Sequence, residues 1–433
     1  MPPVRHTRYD PRCMVADVPF ITRVRLRYYK SISQCDVPLG PLVFMVGPNG
    51  SGKSNFLDSL RLVAESLRTT LDHALRERGG VGEVRKRSGG HPTHFRIHLE
   101  FKLPSQAGKY SFRIGAKPHG GFEVQDEECR LIRLDGLGTQ FFKVKSGRVI
   151  SFSGPTAPPA TSDRLFLVNA AGFPEFRELF EALSHMGFYN LNPDAMREHQ
   201  APNPGDLLLR DGSNIASTLA RLAQSHPERK ERIEKYLAKV VPGVKGVERA
   251  ALGTKETLVF RQEVVGAKDP WRFYAANMSD GTVRVVGILA ALFQATNGGR
   301  APLIGIEEPE VALHPGATGA LLDALRETSK RSQVIVTSHS PDLLDDERID
   351  PDSVLAVVAH HGETHIGRLD EHGRTALRQR LYTAGELLRL NQMTPERPTR
   401  KRQPSTVEQL LIEADRTRRK PANVSGGRSS RNR

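Results

Sequence analysis

Apolar and polar residues alternate with a period that changes along this 433-residue chain. Over residues 21–30 apolar and basic residues take turns, as in a half-exposed strand. Similar alternation over 94–127, broken by Gly and Pro, predicts antiparallel strands. From 174 to about 241 the apolar residues recur at helical spacing, and residues 303–306 and 333–336 form short buried-strand runs. Strands that alternate with helices predict a largely parallel sheet whose carboxyl ends gather the functional site.

A glycine-rich turn, Gly-Pro-Asn-Gly-Ser-Gly-Lys-Ser at residues 47–54, lies between an apolar strand and a helix predicted to reach about Arg78. Its glycines permit the close backbone approach that lets several N–H groups point at one phosphate chain. Lys53 is predicted to reach the β- and γ-phosphates, and the Ser54 hydroxyl to hold Mg²⁺. The alternative is a chance glycine-rich turn, but the full spacing between a strand and a helix favours a P-loop.

Two adjacent carboxylates, Glu307 and Glu308, end the apolar run 303–306. Such a pair is costly unless a cation lies nearby, and a bound Mg²⁺ supplies that charge. We expect Glu307 to hold the ion, through water, and Glu308 to polarise the water that attacks the γ-phosphate. The alternative is an ordinary exposed acidic turn, which the P-loop in the same chain disfavours.

Two further polar turns carry candidate chemistry. His339 ends the second buried run, where a γ-phosphate would lie, although a lone His in such a place is usually a hydrogen-bonded structural residue. The Ser279-Asp280-Gly281 turn opens an apolar helix and can bind phosphate through backbone N–H groups. Sequence physics alone favours a simple N-cap at Ser279 or Asp280.

Composition limits the cellular setting more than the chemistry. The net charge is +14, and residues 396–433 supply half of it with eleven basic and four acidic residues. No apolar run is long enough to span a membrane, and residues 1–19 lack the apolar core of a secretory signal. Cys13, Cys35 and Cys129 form no close pair, which fits a reducing cytoplasm.

The order of these motifs resembles that of the ABC-type ATPases of the RecF, SMC and OLD group, and most of all the compact RecF-like AAA family ATPases. The resemblance spans roughly residues 21–393, and it is carried by the P-loop followed by Asn55, then 278–282, then 306–310 with Leu313-His314-Pro315, then 337–341. It implies an α/β P-loop NTPase of ABC-ATPase type, with a mixed, mostly parallel sheet, an antiparallel β subdomain and a helical insertion.

The same resemblance implies a division of the chain and a set of site residues. The expected parts are a flexible N-terminus (1–20), an N-terminal ATPase lobe with P-loop and β subdomain (21–172), a helical insertion (173–245), a C-terminal ATPase lobe (246–393) and a basic, disordered tail (394–433). Nucleotide binding is expected at Lys30, Ser31, Gly47, Asn49, Gly50, Ser51, Gly52, Lys53, Ser54 and Asn55.

By the resemblance, Ser279, Asp280 and Gly281 form a signature motif that contacts the γ-phosphate bound by the other subunit, so that two ATP molecules lie inside a head-to-tail homodimer. The catalytic residues are then Glu308, His339 as the switch histidine, and Lys53, with Mg²⁺ held by Ser54 and Glu307.

The sequence departs from the pattern of relatives in several places. Glu307 stands where many ABC proteins have Asp, and no glutamine loop can be placed between the P-loop and Glu127. Asp350 and Asp352 have the spacing of a Toprim nuclease pair but precede a strand, so we expect no nuclease in this chain. Two histidine sets, at 91–98 and 360–365, lack a compelling metal-ligand pattern.

Two functions remain open. The first is an ATP-gated dimer that contacts DNA or RNA in DNA maintenance, such as repair, or in anti-phage (antiviral) defence. The second is a regulatory scaffold that holds and releases a separately encoded effector nuclease or toxin. A transporter ATPase is disfavoured, because that class needs a glutamine loop and a Leu-Ser-Gly-Gly-Gln signature.

Overall fold

The computed structural model describes residues 20–87, 92–118, 120–136, 138–294, 301–396 and 404–419, and expectations for 1–19 and for the remainder of the tail lie outside these ranges. The strands of the described residues are β1 (Ile21–Tyr29), β2 (Ile32–Pro38), β3 (Leu42–Val46), β4 (His94–Lys102), β5 (Gln106–Ala116), β6 (Phe122–Arg133), β7 (Thr139–Lys145), β8 (Arg148–Phe152), β9 (Gly187–Tyr189), β10 (Val244–Leu252), β11 (Lys255–Gln262), β12 (Trp271–Tyr274), β13 (Leu303–Glu307), β14 (Gln333–Ser338), β15 (Val354–His360) and β16 (Glu363–Arg368).

The α-helices of the same residues are α1 (Lys53–Arg68), α2 (Leu71–Arg76), α3 (Val81–Val84), α4 (Leu167–Ala170), α5 (Pro174–Ser184), α6 (Pro193–Arg197), α7 (Ile215–Ser225), α8 (Pro227–Val240), α9 (Asp280–Phe293), α10 (Thr318–Ser329), α11 (Pro341–Leu344), α12 (Glu371–Arg378), α13 (Ala384–Arg389) and α14 (Thr406–Arg419).

A six-stranded sheet in the order β16-β15-β3-β14-β13-β9 forms the centre of the fold. Its strands are parallel except β16, which runs antiparallel to β15. Because β14 lies between β3 and β13, the carboxyl ends of these three strands bring together the turn after Val46, Glu307 and Ser338. The predicted mostly parallel sheet is confirmed.

Strands β3, β13 and β14 are buried on both faces of this sheet, which explains their largely apolar sequences. Alternate side chains of β3 enter different cores: Val43 and Met45 pack with α1 and the antiparallel sheet, whereas Phe44 and Val46 pack with α7 to α10. The P-loop strand is therefore held from two sides.

A seven-stranded antiparallel sheet, in the order β2-β1-β4-β5-β6-β7-β8, is the predicted β subdomain. One face, with Val24, Ile97 and Phe112, joins the core around α1. The opposite face carries charged side chains at alternate positions, for example Arg25 and Glu128. A smaller sheet, β10-β11-β12, leads directly toward α9.

The helix after the P-loop is shorter than the expected end at Arg78. Helix α1 ends at Arg68, and Thr70 begins α2 by accepting a hydrogen bond from the His73 N–H. Thr69 and Thr70 favour a break, because the Thr69 hydroxyl donates to the Glu65 carbonyl of α1 while the Thr70 hydroxyl accepts from the first turn of α2.

The segment 173–245, expected as a helical insertion, holds α5 to α8 but also β9. This three-residue strand pairs in parallel with β13 and is the edge of the six-stranded sheet. A strand so short shows no period in the sequence, so the pattern of the flanking helices hides it.

Part of the tail expected to be disordered is a helix. Within residues 404–419, α14 packs Val407 and Leu411 against Ile132 on the antiparallel sheet. Glu408 pairs with Arg25 at 3.0 Å. The expectation of disorder is wrong for this stretch. Val407 and Leu411, one turn apart, become buried on folding, and their neighbour Glu408 forms an ion pair.

Candidate nucleotide-binding and hydrolysis site

The turn between β3 and α1 has the backbone shape of a P-loop. Gly50 and Gly52 have φ of 74° and 102°, a region that L side chains rarely adopt. A Cβ at Gly47 would overlap the Val357 carbonyl oxygen, and one at Gly52 would overlap the Thr364 hydroxyl. These glycines are therefore required by contacts with β15 and β16 as well as by the turn.

Lys53 covers this turn from the first residue of α1. Its Nζ donates to the carbonyl oxygens of Gly47 and Pro48, at 2.8 and 3.0 Å. Burial lowers the pKa of its ammonium group. The ammonium is thus held over the loop by two neutral acceptors, a position from which an anion can attract it.

A chain of hydroxyl groups fixes the P-loop from behind. Asn55 Nδ2 donates to Ser31 Oγ at 2.7 Å, and Ser31 Oγ lies 2.7 Å from Thr364 Oγ1, which donates to the Ser51 carbonyl at 2.9 Å. The structure brings predicted residues Ser31 and Asn55 together with the loop. Thr364 was not predicted, since nothing in its strand sequence marks it.

The predicted nucleotide residue Lys30 points to α1. Its Nζ lies 2.5 Å from Asp58 Oδ2, and Tyr29 donates its hydroxyl to the same carboxylate at 2.9 Å. Arg78 and Arg61 also contact Asp58, and these cations hold the pKa of that carboxyl well below its usual range. The Lys30 ammonium group is therefore already paired with a carboxylate of its own chain.

Glu307 and Glu308 lie at the carboxyl end of β13. Glu308 has φ 46°, in the left-handed region, and its N–H donates to the Thr337 carbonyl at 3.0 Å. The guanidinium of Arg284, on α9, donates to the Glu308 carbonyl at 3.0 Å and to that of Leu191 at 2.8 Å. These contacts hold a strained backbone, which is typical of functional sites.

His339 follows β14 and faces Glu308. Its Nδ1 lies 3.1 Å from Glu308 Oε1, although the two are not aligned for a hydrogen bond. Glu310 Oε1 accepts from Ser338 Oγ at 2.6 Å and from the His339 N–H at 3.3 Å, which fixes the turn. Glu310 belongs to the Glu-Glu-Pro-Glu run, so the sequence offered a signal for it.

Glu307 is paired with an arginine that the sequence did not indicate. Arg210 donates to Glu307 Oε1 at 2.8 Å. Both residues border a cavity of about 100 Å³ that Ser54 also lines. The cavity joins the P-loop helix to the carboxylate strand.

The signature turn is an N-cap in its own chain. Ser279 Oγ accepts from the Thr282 N–H at 3.3 Å, as the simpler interpretation predicted. Arg197 donates to the Met278 carbonyl at 2.8 Å and also binds the Asp280 carboxylate. A Cβ at Gly281 would overlap the Ala312 carbonyl oxygen, so the helix start packs closely on the loop after β13.

The side chains and backbone fit a nucleotide and a divalent cation. A loop of glycines before a helix N-terminus, beside Lys53, suits a phosphate chain. The Ser54 hydroxyl and the Glu307 carboxylate are the oxygen ligands that Mg²⁺ prefers. Buried Ser51 Oγ and Glu310 Oε2 have no hydrogen-bond partner among the described residues, so polar capacity remains at this edge.

The fold first defines the class of protein. In a comparison with solved structures, the chain resembles the head domain of an SMC protein bound to the C-winged helix domain of ScpA. The TM-score is 0.52 at 14% identity, over 82% of this chain and 99% of that one. The likeness shows the fold, and the predicted fold class, an α/β P-loop NTPase like that of SMC heads, is confirmed.

Sequence comparison then gives the family. Residues 42–345 match the family described as "AAA domain, putative AbiEii toxin, Type IV TA system", and the chain belongs to that family. It is 35% identical over 105 residues to the DNA replication and repair protein RecF of Magnetococcus marinus, an alignment that covers 22% of this chain and 25% of RecF. The predicted kinship with RecF- and SMC-like ATPases is confirmed.

Among the described helices, none is long and apolar enough to cross a membrane.

Proposed function

We propose that this chain is an ATPase whose hydrolysis cycle closes and opens a head-to-tail homodimer. One observation carries the proposal: a strained Glu308 faces His339 at the sheet edge where the P-loop also ends. Holding a non-glycine residue at positive φ costs of order 1–3 kcal/mol, and the contacts from Thr337 and Arg284 maintain it. The place of this strain, beside His339 and the P-loop, supports a functional role for Glu308.

In the proposed reaction each side chain has one task. Lys53 leaves the carbonyls of Gly47 and Pro48 for the phosphates, and Glu308 takes the proton of the attacking water. His339, beside Glu308, hydrogen-bonds the γ-phosphate. Ser54 and Glu307 would hold Mg²⁺, which would supply positive charge to the phosphate chain.

The position of the signature turn supports the proposed dimer. Among the described residues, the hydrogen bonds, the ion pair and the closest approach given for Ser279, Asp280 and Gly281 are with residues 197, 282, 283 and 312, and none is with the P-loop. The N–H groups at the start of α9 are therefore available to a phosphate bound by a second copy.

The test is the mass in solution of the Glu308→Gln protein, with and without Mg-ATP, after purification from its native host. We expect ATP to double the mass, because the variant binds ATP without hydrolysing it. Lys53→Ala is the control and should not respond to ATP. A Glu308→Gln protein that binds ATP but keeps its ATP-free mass would contradict the dimer.

Nucleic acid is the partner favoured by the outer face of the antiparallel sheet. Arg27, Arg96 and Arg113 stand opposite one another on β1, β4 and β5, and like charges in register are unfavourable. Asp126, next in the row, pairs with Arg96 at 3.4 Å and with Arg113 at 2.7 Å. Three cations with one carboxylate suit a phosphate backbone, and the name of the RecF relative points the same way.

A neighbouring pair on the same face provides the control. Glu128 lies between Lys109 and Lys143, at 3.3 and 3.6 Å, so these lysines are compensated. The triple change Arg27→Ala, Arg96→Ala and Arg113→Ala should weaken DNA or RNA binding and reduce its salt slope by about 3, whereas Lys109→Ala with Lys143→Ala should change it less. Equal effects of the two variants would exclude this row.

The second candidate function is a scaffold for a separately encoded effector, a nuclease or toxin. The family description, which mentions a putative toxin and a Type IV TA system, is the observation that supports it. A second polypeptide that accompanies the Glu308→Gln protein, together with no nucleic-acid binding, would favour the scaffold. In either case we place the chain in the cytoplasm, since Cys35 and Cys129 are buried free thiols.

A further inference from the structure

Arg210 joins two neighbouring strand ends of the central sheet. Its side chain bonds Glu307, at the end of β13, and its carbonyl accepts the N–H of Asn190, which follows β9, at 2.9 Å. Since β9 and β13 are paired in parallel, both contacts lie at the same edge. Arg210 thus lies where a chain segment meets the carboxylate predicted to hold Mg²⁺.

The charges around the cavity assign this arginine a separate role. Lys30 and Arg61 also line the cavity, but both pair with Asp58, at 2.5 and 2.6 Å. Among the cavity cations of the described residues, Arg210 is the one that pairs with Glu307. Its side chain is 44% exposed, against 17% for Glu307, so it can leave toward solvent while the carboxylate stays.

The cavity has room for the ion that would compete with it. The cavity volume of about 100 Å³ exceeds the roughly 10–15 Å³ that one water molecule needs. Mg²⁺ retains several waters and takes one or two protein oxygens, here those of Ser54 and Glu307. The guanidinium and the hydrated ion would compete for the one Glu307 carboxylate, and two cations there would repel.

We propose that Arg210 is an exchangeable counter-ion. It neutralises Glu307 while no divalent cation is bound, and Mg²⁺ that arrives with ATP displaces it. The inference rests on the proposed Mg²⁺ site. No glutamine loop could be placed in the sequence. Arg210 would take over its part, as a residue outside the P-loop and the carboxylate strand that responds to nucleotide binding.

Displacement of Arg210 reaches α7 through a tightly bonded segment. Asn214, the N-cap residue of α7, accepts from the Leu209 N–H at 2.8 Å and donates to the Leu207 carbonyl at 3.0 Å. The Asp211 carbonyl accepts the Asn192 N–H at 3.0 Å. These bonds link residues 205–214 to α7, so we expect release of the Arg210–Glu307 ion pair to loosen this segment and the start of α7.

The experiment measures Mn²⁺ binding by electron paramagnetic resonance, with Mn²⁺ in place of Mg²⁺, in the full chain with and without a non-hydrolysable ATP analogue. In the absence of nucleotide, Arg210→Ala should bind Mn²⁺ about fivefold more tightly than the wild type, because one competing ion pair is gone. Arg210→Lys keeps the charge and should stay near the wild type. Arg61→Ala, which removes a cation from the same cavity but not from Glu307, is the matched control.

Hydrogen exchange over residues 205–225 is a second measurement, and a general change in the charge of the protein should not affect it. Metal and analogue together should raise exchange in the wild type, and Arg210→Ala should show the raised exchange already without metal. Equal Mn²⁺ affinities for Arg210→Ala and Arg61→Ala, or unchanged exchange, would overturn the counter-ion alone. Failure of every variant to bind Mn²⁺ with nucleotide would overturn the proposed site, and the counter-ion with it.

Discussion

The two large sheets surround their carboxylates in opposite ways. In the antiparallel sheet, Glu127 accepts hydrogen bonds from Tyr110 and from the N–H groups of Phe166 and Leu167. At the edge of the parallel sheet, Glu308 is strained and faces His339 without a hydrogen bond, and Glu310 Oε2 has no partner among the described residues. Carboxylates that the chain satisfies hold structure, whereas those left incomplete are positioned for a ligand.

Glu100 extends the first half of this comparison. It is fully buried in β4 yet bound by Arg25 and by Ser405 of the tail, and hydrogen bonds, from His98 and Ser405 first, lower its pKa to about 2 against the effect of burial. The C-terminal helix therefore completes a network in the antiparallel sheet. At the parallel sheet edge, Glu310 Oε2 and His339 Nδ1 have no hydrogen-bond partner among the described residues.

The largest expected effect comes from a substitution at the edge of the parallel sheet. Glu308→Gln should lower ATP turnover by about 10²- to 10⁴-fold, because an amide cannot take the proton of the attacking water. Its free energy of unfolding should change by no more than about 0.5 kcal/mol, since the side chain is partly exposed. Glu128→Gln, in the other sheet, should leave turnover unchanged. Wild-type turnover in Glu308→Gln would remove Glu308 as the base.

The next expected effect is a pH dependence of the free energy of unfolding, which tests the hydrogen-bonded carboxylate Glu127. Burial raises the pKa of Glu127 from 4.5 to about 7, despite its three donors. Below pH 4.5 both folded and unfolded chains hold the proton; between 4.5 and about 7 only the unfolded chain loses it. The free energy of unfolding should therefore fall by about 3 kcal/mol across this window and then level off.

Denaturant unfolding at several pH values measures this fall, and Glu127→Gln should abolish it because an amide does not titrate. Glu128→Gln is the control. Lys109 and Lys143 lower the pKa of Glu128 below its usual value, so its titration changes the free energy of unfolding only at pH values below this window. A Glu127→Gln protein with the wild-type pH dependence would show that another group titrates there.

The smallest effect concerns the helix that covers the antiparallel sheet. Leu411→Ala should destabilise the docking of α14 by about 2 kcal/mol, because Leu411 is buried against Ile132 and Val407. Hydrogen exchange of residues 404–412 should rise while ATP turnover stays constant. Ile412→Ala, at a position that is 45% exposed, is the matched control and should change exchange little. Loss of turnover in Leu411→Ala would connect the tail to the site.

Local motifs are sufficient to predict much of the candidate site. The glycine spacing of the P-loop and the carboxylates after an apolar strand predicted elements that meet at one edge. Thr364, Arg284 and Arg210 were not predicted, since each acts on a residue at least 24 positions away through a contact that sequence spacing does not record.

The sequence by itself determined the P-loop, the alternation of strands and helices and the class of fold, because backbone preference and hydrophobic period act over a few residues. Only the tertiary structure decided that β9 borders the carboxylate strand, that Arg210 pairs with Glu307 and that Ser405, just before α14, donates to Glu100. These pairings join segments far apart in the chain, and their energies come from burial and charge that exist only after folding.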